Sequence, residues 1–133
     1  MIQLDQVFLA KARESLAGAE SELANGRYNN CANRSYYACF QAAVCALSRA
    51  GIRPSGAGAE WGHAFVQARF AGELISRRKR YPSSLREVLS RTMILRKVAD
   101  YEPNQVGQTQ ITRALRSTRE LVSVIESRGG EAR

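Results

Sequence analysis

Apolar residues recur along this chain at steps of three and four positions, which is the spacing of an amphipathic helix. The first stripe predicts a helix from about Asp5, as its N-cap, to Asn25, where the pair Asn25-Gly26 tolerates the left-handed backbone that ends many helices. The predicted inner residues of this helix are Leu4, Phe8, Ala12, Leu16, Ala19 and Leu23.

The most apolar segment predicts a second helix from about Asn29 to Ala50, which stops at Gly51. Its inner face is broad and contains alanines that let a neighbouring helix approach closely, so we expect it to be the central helix. A Gly/Pro/Ser-rich loop is predicted over residues 51–60. The predicted inner residues of the second helix are Ala32, Tyr36, Cys39, Phe40, Ala43, Val44 and Leu47.

A shorter third helix is predicted from about Glu60 to Ser76, with a run of four cations directly after it. Four adjacent cations would point to all sides of a helix, so they indicate its end and an exposed loop, where they also suit the helix dipole. The cations are Arg77, Arg78, Lys79 and Arg80, and the inner candidates of the helix are Phe65, Ala68, Phe70 and Leu74.

Two further stripes predict the fourth and fifth helices. The fourth begins after Pro82 with Ser83 or Ser84 as its cap, and a polar loop over residues 102–108 follows it. The fifth runs from about Thr109 to Gly129-Gly130, and residues from about 128 to 133 are expected to fray. The buried stripes are Leu85, Val88, Leu89, Thr92, Leu95 and Ala99 for the fourth helix, and Ile111, Leu115, Thr118, Val122 and Ile125 for the fifth.

These elements predict one all-α domain over residues 1–133. No strand-length run alternates apolar and polar residues, and short connections imply antiparallel neighbours. The expected architecture is therefore an up-and-down antiparallel bundle of four or five helices, in which four long helices form the body and the short third helix packs across one end.

The chain is strongly basic, with a formal net charge of +8 and a pI of about 10.0. Residues 61–100 hold nine Lys/Arg against three Asp/Glu, whereas residues 1–60 hold six against five. Such a balance favours a polyanionic partner, either RNA or an acidic protein. No apolar run approaches the roughly 20 residues that span a bilayer, and the first residues lack the features of a signal peptide, so a cytoplasmic protein is expected.

Three cysteines and one histidine give no metal-binding pattern. Cys31, Cys39 and Cys45 lie in one helical segment, far in sequence from His63, and no CxxC or HxxxH spacing occurs. We therefore expect three buried, reduced thiols, no metal and no cofactor. A phosphate-binding loop is not expected either, because the G-A-G-A of the 51–60 loop lacks the Lys-Ser/Thr that completes such a motif.

The segment Ile94 to Tyr101 holds the densest candidate chemistry. Arg96 and Asp100 lie four residues apart and share a helix face, and Tyr101 follows at the helix end. A guanidinium, a carboxylate and a phenol therefore gather within about one turn. The simpler interpretation is a surface ion pair followed by an aromatic residue that packs at the helix end.

Four segments of the chain form a recognisable series: G-R-Y at 26–28, A-N-R-S-Y-Y-A-C-F-Q-A-A at 32–43, G-H-A-F-V at 62–66 and R-K-V-A-D-Y at 96–101. In this order and spacing they resemble those of the HEPN domains (higher eukaryotes and prokaryotes nucleotide-binding). The closest branch is a small prokaryotic one, and the resemblance covers about Phe8 to Val124. It implies an all-α bundle, frequently a homodimer, often encoded beside a minimal nucleotidyltransferase as a toxin–antitoxin pair.

Many HEPN proteins are also metal-independent ribonucleases, which the resemblance extends to this chain as an expectation. Their hallmark is an Arg followed, after four to six residues, by a His, and in transferase-paired toxins a Tyr two places later accepts AMP. Here the polar position after Arg96 is Asp100, three residues intervene, and no His follows. The one imidazole, His63, matches a His that this branch often has near the start of its third helix.

Three functions follow. The first is the HEPN half of a toxin–antitoxin or defence pair, bound to a nucleotidyltransferase, with Tyr101 as the AMP acceptor. The second is a ribonuclease in which Arg96 binds the scissile phosphate, His63 or Asp100 moves protons, and Arg77–Arg80 hold the RNA backbone. The third is an RNA- or nucleotide-binding module without catalysis, in which the basic segment 77–97 would supply charge and Tyr36, Tyr37 and Tyr81 would stack on bases.

Overall fold

The regular structure of this chain is entirely helical in the part that the structure, a computed structural model, describes: residues 3–56 and 58–128. This confirms the predicted all-α class. Helix α3 continues without a break as a π-helix over Phe70–Arg77, and a 3-10 turn over Ser83–Leu85 precedes α4. The α-helices are α1 (Leu4–Ala24), α2 (Tyr28–Arg49), α3 (His63–Arg69), α4 (Val88–Tyr101) and α5 (Gln108–Arg128).

Helix α2 is the centre of the bundle, as predicted. It packs against α1, α3, α4 and α5, and Tyr36, Val44 and Leu47 on it are completely buried. Alanines at 38, 42, 43 and 46 are buried too, so neighbouring backbones can come close. Phe40, which was predicted to point inward, is only half-buried and packs at the edge of this core.

The end of α1 follows the sequence prediction, but its start does not. The helix ends at Ala24, and Gly26 has a left-handed φ of 73°. Asp5 is not the N-cap, because the helix begins at Leu4 and the preceding Gln3 makes no capping bond. Instead, the Asp5 carboxylate accepts a hydrogen bond of 3.1 Å from Arg49 Nε, and this tertiary ion pair outweighs the local cap.

The buried face of α1 is rotated from the predicted stripe. Ala12 and Ala19 are buried as expected, but the other two buried positions are Leu9 and Ser15. Ser15 is buried because its hydroxyl finds a partner, the side-chain amide of Gln41, at 2.7 Å. The remaining predicted positions, Leu4, Phe8, Leu16 and Leu23, are half-buried at the margins.

The third helix is shorter as an α-helix than predicted. It begins at His63 because Gly62, a poor helix former, has extended backbone with ψ of 154°. Phe70 and Leu74 are buried as predicted, whereas Ala68 is exposed, contrary to prediction, because the buried face follows Val66, Phe70 and Leu74 at steps of four and Ala68 lies midway between the first two. The helical run ends at Arg77, and the cations that follow are exposed.

Helix α4 begins later than predicted, and neither Ser83 nor Ser84 caps it. Both serines lie in the 3-10 turn, which seats Leu85 in the core before α4 starts at Val88. Helix α5 begins one residue before the predicted start, and its five predicted inner residues are all buried. Its predicted end at Gly129-Gly130 and the frayed tail lie outside the described residues, apart from Arg128, which is still helical.

No helix in the described ranges is both long enough and apolar enough to cross a membrane.

Candidate functional site

The guanidinium of Arg96 lies against two tyrosines of α2. Its Nη1 donates a hydrogen bond of 2.7 Å to the Tyr37 hydroxyl. Its Cζ atom is 5.5 Å from the centre of the Tyr36 ring and 5.6 Å from that of Tyr37, which are cation–π distances. Two aromatic faces and one phenol therefore hold the Arg96 head group at the boundary between α2 and α4.

His63 approaches the same two tyrosines from α3. Its Nδ1 is 2.6 Å from the hydroxyl of Tyr36, which is completely buried. Its ring centre is 5.4 Å from that of Tyr36 and 6.3 Å from that of Tyr37. His63 and Arg96, which are 33 positions apart in sequence, thus contact the same pair of rings. The half-buried Phe40 closes the group, with its ring centre 5.0 Å from His63.

Protonation states in this cluster favour a neutral imidazole. Burial lowers the pKa of His63, and the positive charges of Arg96 and Lys97 lower it further. Burial also raises the pKa of Tyr36 to about 12, so its phenol keeps its hydrogen. Because Nδ1 of His63 is hydrogen-bonded to the Tyr36 hydroxyl, Nε2 is the ring nitrogen left to donate or accept a proton, according to the tautomer.

Asp100 lies at the edge of the cluster and is held from two sides. Its Oδ2 is 3.7 Å from Arg96 Nε, which makes an ion pair but is too long for a hydrogen bond. The side-chain amide of Asn33 donates to both carboxylate oxygens, at 3.3 and 3.5 Å. Arg34 in turn donates to Asn33 Oδ1 at 2.8 and 3.2 Å, so α2 orients the Asp100 carboxylate.

Sequence reasoning missed the parts that Asn33, Arg34, Tyr36 and Tyr37 play around Arg96 and Asp100. All four lie in the A-N-R-S-Y-Y segment of α2. Asn33 and Tyr37 are four residues apart, so they share a helix face. That spacing is a signal for a polar patch on α2, but only the packing of α2 against α4 shows that Asp100 and Arg96 lie on it.

Tyr101 is the most open member of the predicted set. It is the last residue of α4, and 76% of it is exposed. It does not pack at the helix end as an aromatic staple would. The simpler interpretation of this segment, an ion pair followed by a packed aromatic residue, is therefore correct for the ion pair and wrong for the phenol, which faces outward.

The predicted nucleic-acid-binding cations are apart from this cluster. Helical backbone from residue 63 to residue 77 separates His63 from Arg77 by roughly 20 Å. Glu73 pairs with Arg77 and also with Arg78, at 3.5 Å, and these partners lower the pKa of Glu73 to about 2. Lys79 turns the chain, with a left-handed φ of 51°. One carboxylate thus offsets one of the four positive charges, and the segment from Glu73 to Arg80 keeps a net charge of +3.

Within the described residues no group of three or more His, Cys, Asp or Glu side chains could hold a metal ion. The three cysteines are buried and unpaired there, as the sequence predicts. Burial raises the pKa of Cys39 and that of Cys45 to about 11 each, so both thiols remain protonated.

Comparison with protein families agrees with this geometry. The model described as "HEPN domain" matches residues 6–128, almost the whole chain. A search among curated proteins finds no match. The chain therefore belongs to the HEPN family.

Proposed function

For this HEPN-domain protein, we propose a role as one half of a prokaryotic toxin–antitoxin or defence pair that acts with a minimal nucleotidyltransferase. In this proposal Tyr101 is the acceptor of AMP. The observation that supports it is that 76% of Tyr101 is exposed at the end of α4. Tyr101 directly follows Asp100, whose carboxylate forms an ion pair with Arg96. A phenol that has to enter the active site of another protein must be accessible in this way.

The chemistry assigned to Tyr101 is simple. Its phenol oxygen attacks the α-phosphorus of ATP, the bond to the β-phosphate breaks, and pyrophosphate leaves. The phenol proton passes to a base of the transferase or to solvent. The transferase supplies the nucleotide site, and this chain supplies the nucleophile.

Incubation with the transferase encoded beside this chain and with ATP tests the proposal. The intact mass of the wild-type chain should increase by one AMP, and that of Tyr101→Phe should not change. Tyr28→Phe, which removes the hydroxyl of another tyrosine that is not fully buried, should still take up one AMP. No adduct on the wild type would contradict the role of Tyr101.

The second candidate is a metal-independent ribonuclease. The contact of Arg96 and His63 with the same two rings favours it, since an imidazole from α3 then stands near the arginine in place of the missing α4 histidine. Arg96 would bind the scissile phosphate, and His63, assisted by Asp100, would move protons. The exposed Arg77–Arg80 run would bind RNA backbone farther away.

Cleavage of RNA by the purified chain tests this second candidate. Activity should fall to background in both Arg96→Ala and His63→Ala. If cleavage persists in both variants, the mechanism is wrong. Salt-dependent RNA binding without cleavage would instead indicate the non-catalytic module. We also propose that the chain forms a homodimer, and a monomeric mass in light scattering at micromolar concentration would contradict this.

A further inference from the structure

Helix α4 presents an apolar surface that no part of the described chain covers. Among residues 3–56 and 58–128, the large hydrophobic side chains that are exposed are Ile94, at 62%, and Tyr101, at 76%. They are seven positions apart, which places them on one face of the helix about 10 Å apart. Exposed apolar side chains that line up in this way mark an interaction surface more often than isolated ones do.

Ile94 also lines a groove between α4 and α5 with a volume of about 390 Å³. Apolar atoms of Leu95, Val88 and Ala114 contribute to the lining. Leu95 packs against the buried cluster around Ile111 and Leu115, so one wall of the groove is continuous with the hydrophobic core. Neither His63 nor Arg96 lines it, so the groove is separate from the cluster described above.

Both charged residues that line this groove are positive, and Glu120, 3.5 Å from the groove residue Ser84, offsets part of their charge from outside it. Arg91 from α4 and Arg113 from α5 line it and are exposed, and no acidic residue of the described chain lines it. Arg91 is partly compensated by Glu87, at 3.2 Å. An occupant with carboxylates beside an apolar side chain would match both the charge and the surface.

The same charges argue against a second copy of this chain as the occupant. A two-fold interface uses the same patch on both partners. Such a pairing would place the patch that holds Arg91 and Arg113 against an identical patch, and like charges at an interface are unfavourable. The net charge of +8 makes an acidic protein the better match.

We infer that the α4–α5 groove binds an acidic segment of the transferase partner, with an apolar side chain of that segment packed on Ile94. This inference rests on the proposed function for the identity of the partner. The groove and Tyr101 lie on one helix, so an occupant held at Ile94 is anchored about two turns from the phenol. Docking here brings the active site of the transferase to Tyr101.

Titration of the chain with the purified transferase encoded beside it, followed by calorimetry, tests the docking. Ile94→Ser and Arg113→Glu should each raise the dissociation constant about tenfold, which is the effect of losing a moderate interface contact. Arg116→Glu makes the same charge change on an exposed residue of α5 outside the groove and should leave binding unchanged. All three variants should unfold at the wild-type temperature.

The docking and the AMP transfer can fail separately. Tyr101→Phe should bind with wild-type affinity and take up no AMP, and Ile94→Ser should regain AMP transfer at saturating transferase. Transfer to Tyr101 with wild-type binding by both groove variants would overturn the docking and leave the proposed function standing. Binding that depends on the groove but yields no AMP adduct would support the docking and overturn the role of Tyr101. No binding at all would overturn both.

One further outcome would overturn the assigned occupant. If light scattering shows a dimer for the wild type and a monomer for Ile94→Ser, a second copy of the chain covers the groove.

Discussion

Helices α2 and α4 pack against each other, yet they differ in how they use their side chains. On α2, residues from Cys31 to Ser48 are mostly buried, and Cys39 Sγ among them donates to Thr118 Oγ1 at 3.3 Å inside the protein. On α4, only Val88, Leu89 and Thr92 in its first half are buried. From Ile94 onward it exposes an isoleucine, a lysine, a carboxylate and a phenol. Stability therefore depends mainly on α2, while the part of α4 from Ile94 onward is free to bind and react.

The sharpest test of this contrast truncates one apolar side chain on each helix. Leu47→Ala removes a completely buried side chain of α2 and should lower the free energy of unfolding by about 2–5 kcal/mol. Ile94→Ala, on the exposed face of α4, should change it by about 0.5 kcal/mol or less. Urea denaturation measures both, and equal losses would contradict the contrast.

The ion pair of Asp5 with Arg49, at the end of α2, should contribute more to the free energy of unfolding than the ion pair of Asp100 with Arg96 on α4. The Asp5 side chain is 14% exposed and its carboxylate accepts a bond of 3.1 Å from Arg49. Asp5→Ala should therefore cost about 1.5–3 kcal/mol, the range of a hydrogen bond to a charged group. Asp5→Ser tests the alternative: if Asp5 acted as an N-cap, serine would restore most of the stability, and we expect that it does not.

A third test uses His63, at the border between the two regions. Its pKa is lowered in the folded protein, so folding favours the neutral ring, and this contribution is complete above the ordinary pKa of about 6.5. As the pH falls from about 6.5 through the lowered pKa, the contribution is lost. The stability difference between wild type and His63→Gln should shift against the wild type over that window.

Nuclear magnetic resonance measures the underlying titration directly, because the chain has one histidine. The imidazole should titrate below the value found in the urea-unfolded chain. A folded pKa at or above the unfolded value would contradict the environment described for His63.

The smallest effect is expected for Asp100. Its side chain is 29% exposed and its contact with Arg96 is 3.7 Å, so Asp100→Ala should cost about 0.5 kcal/mol or less. The comparison with Asp5→Ala in the same denaturation series provides the matched control. A loss at Asp100 as large as that at Asp5 would mean that the end of α4 is part of the structural core.

Much of the fold followed from apolar spacing, and the errors have local physical causes. The five inner residues of α5 were predicted correctly because one face of that helix is buried along its whole length. Asp5 and Ser84 were wrongly predicted as caps. Asp5 instead accepts a hydrogen bond from the distant Arg49, and the segment around Ser84 is determined by the burial of Leu85. A change to π-helical winding after Arg69 has no signature in a three/four spacing pattern.

The candidate site was less predictable than the fold. The spacing of Arg96 and Asp100 predicted their ion pair, because that contact lies within one helix. The contacts of Arg96 with Tyr36 and Tyr37, and of His63 with Tyr36, join separate helices, and no local pattern reports them. The predicted buried stripe of the fourth helix leaves Ile94 out, which agrees with its exposure of 62%, but the spacing does not show the groove beside it.

The measurement that tests the central claim most directly is peptide mapping by tandem mass spectrometry after incubation of the wild-type chain with the proposed partner transferase and ATP. The account predicts a single AMP on the peptide that contains Tyr101, at the exposed end of α4. AMP on a different residue, or on none, would contradict the claim that this end of α4 is the reactive surface of the protein.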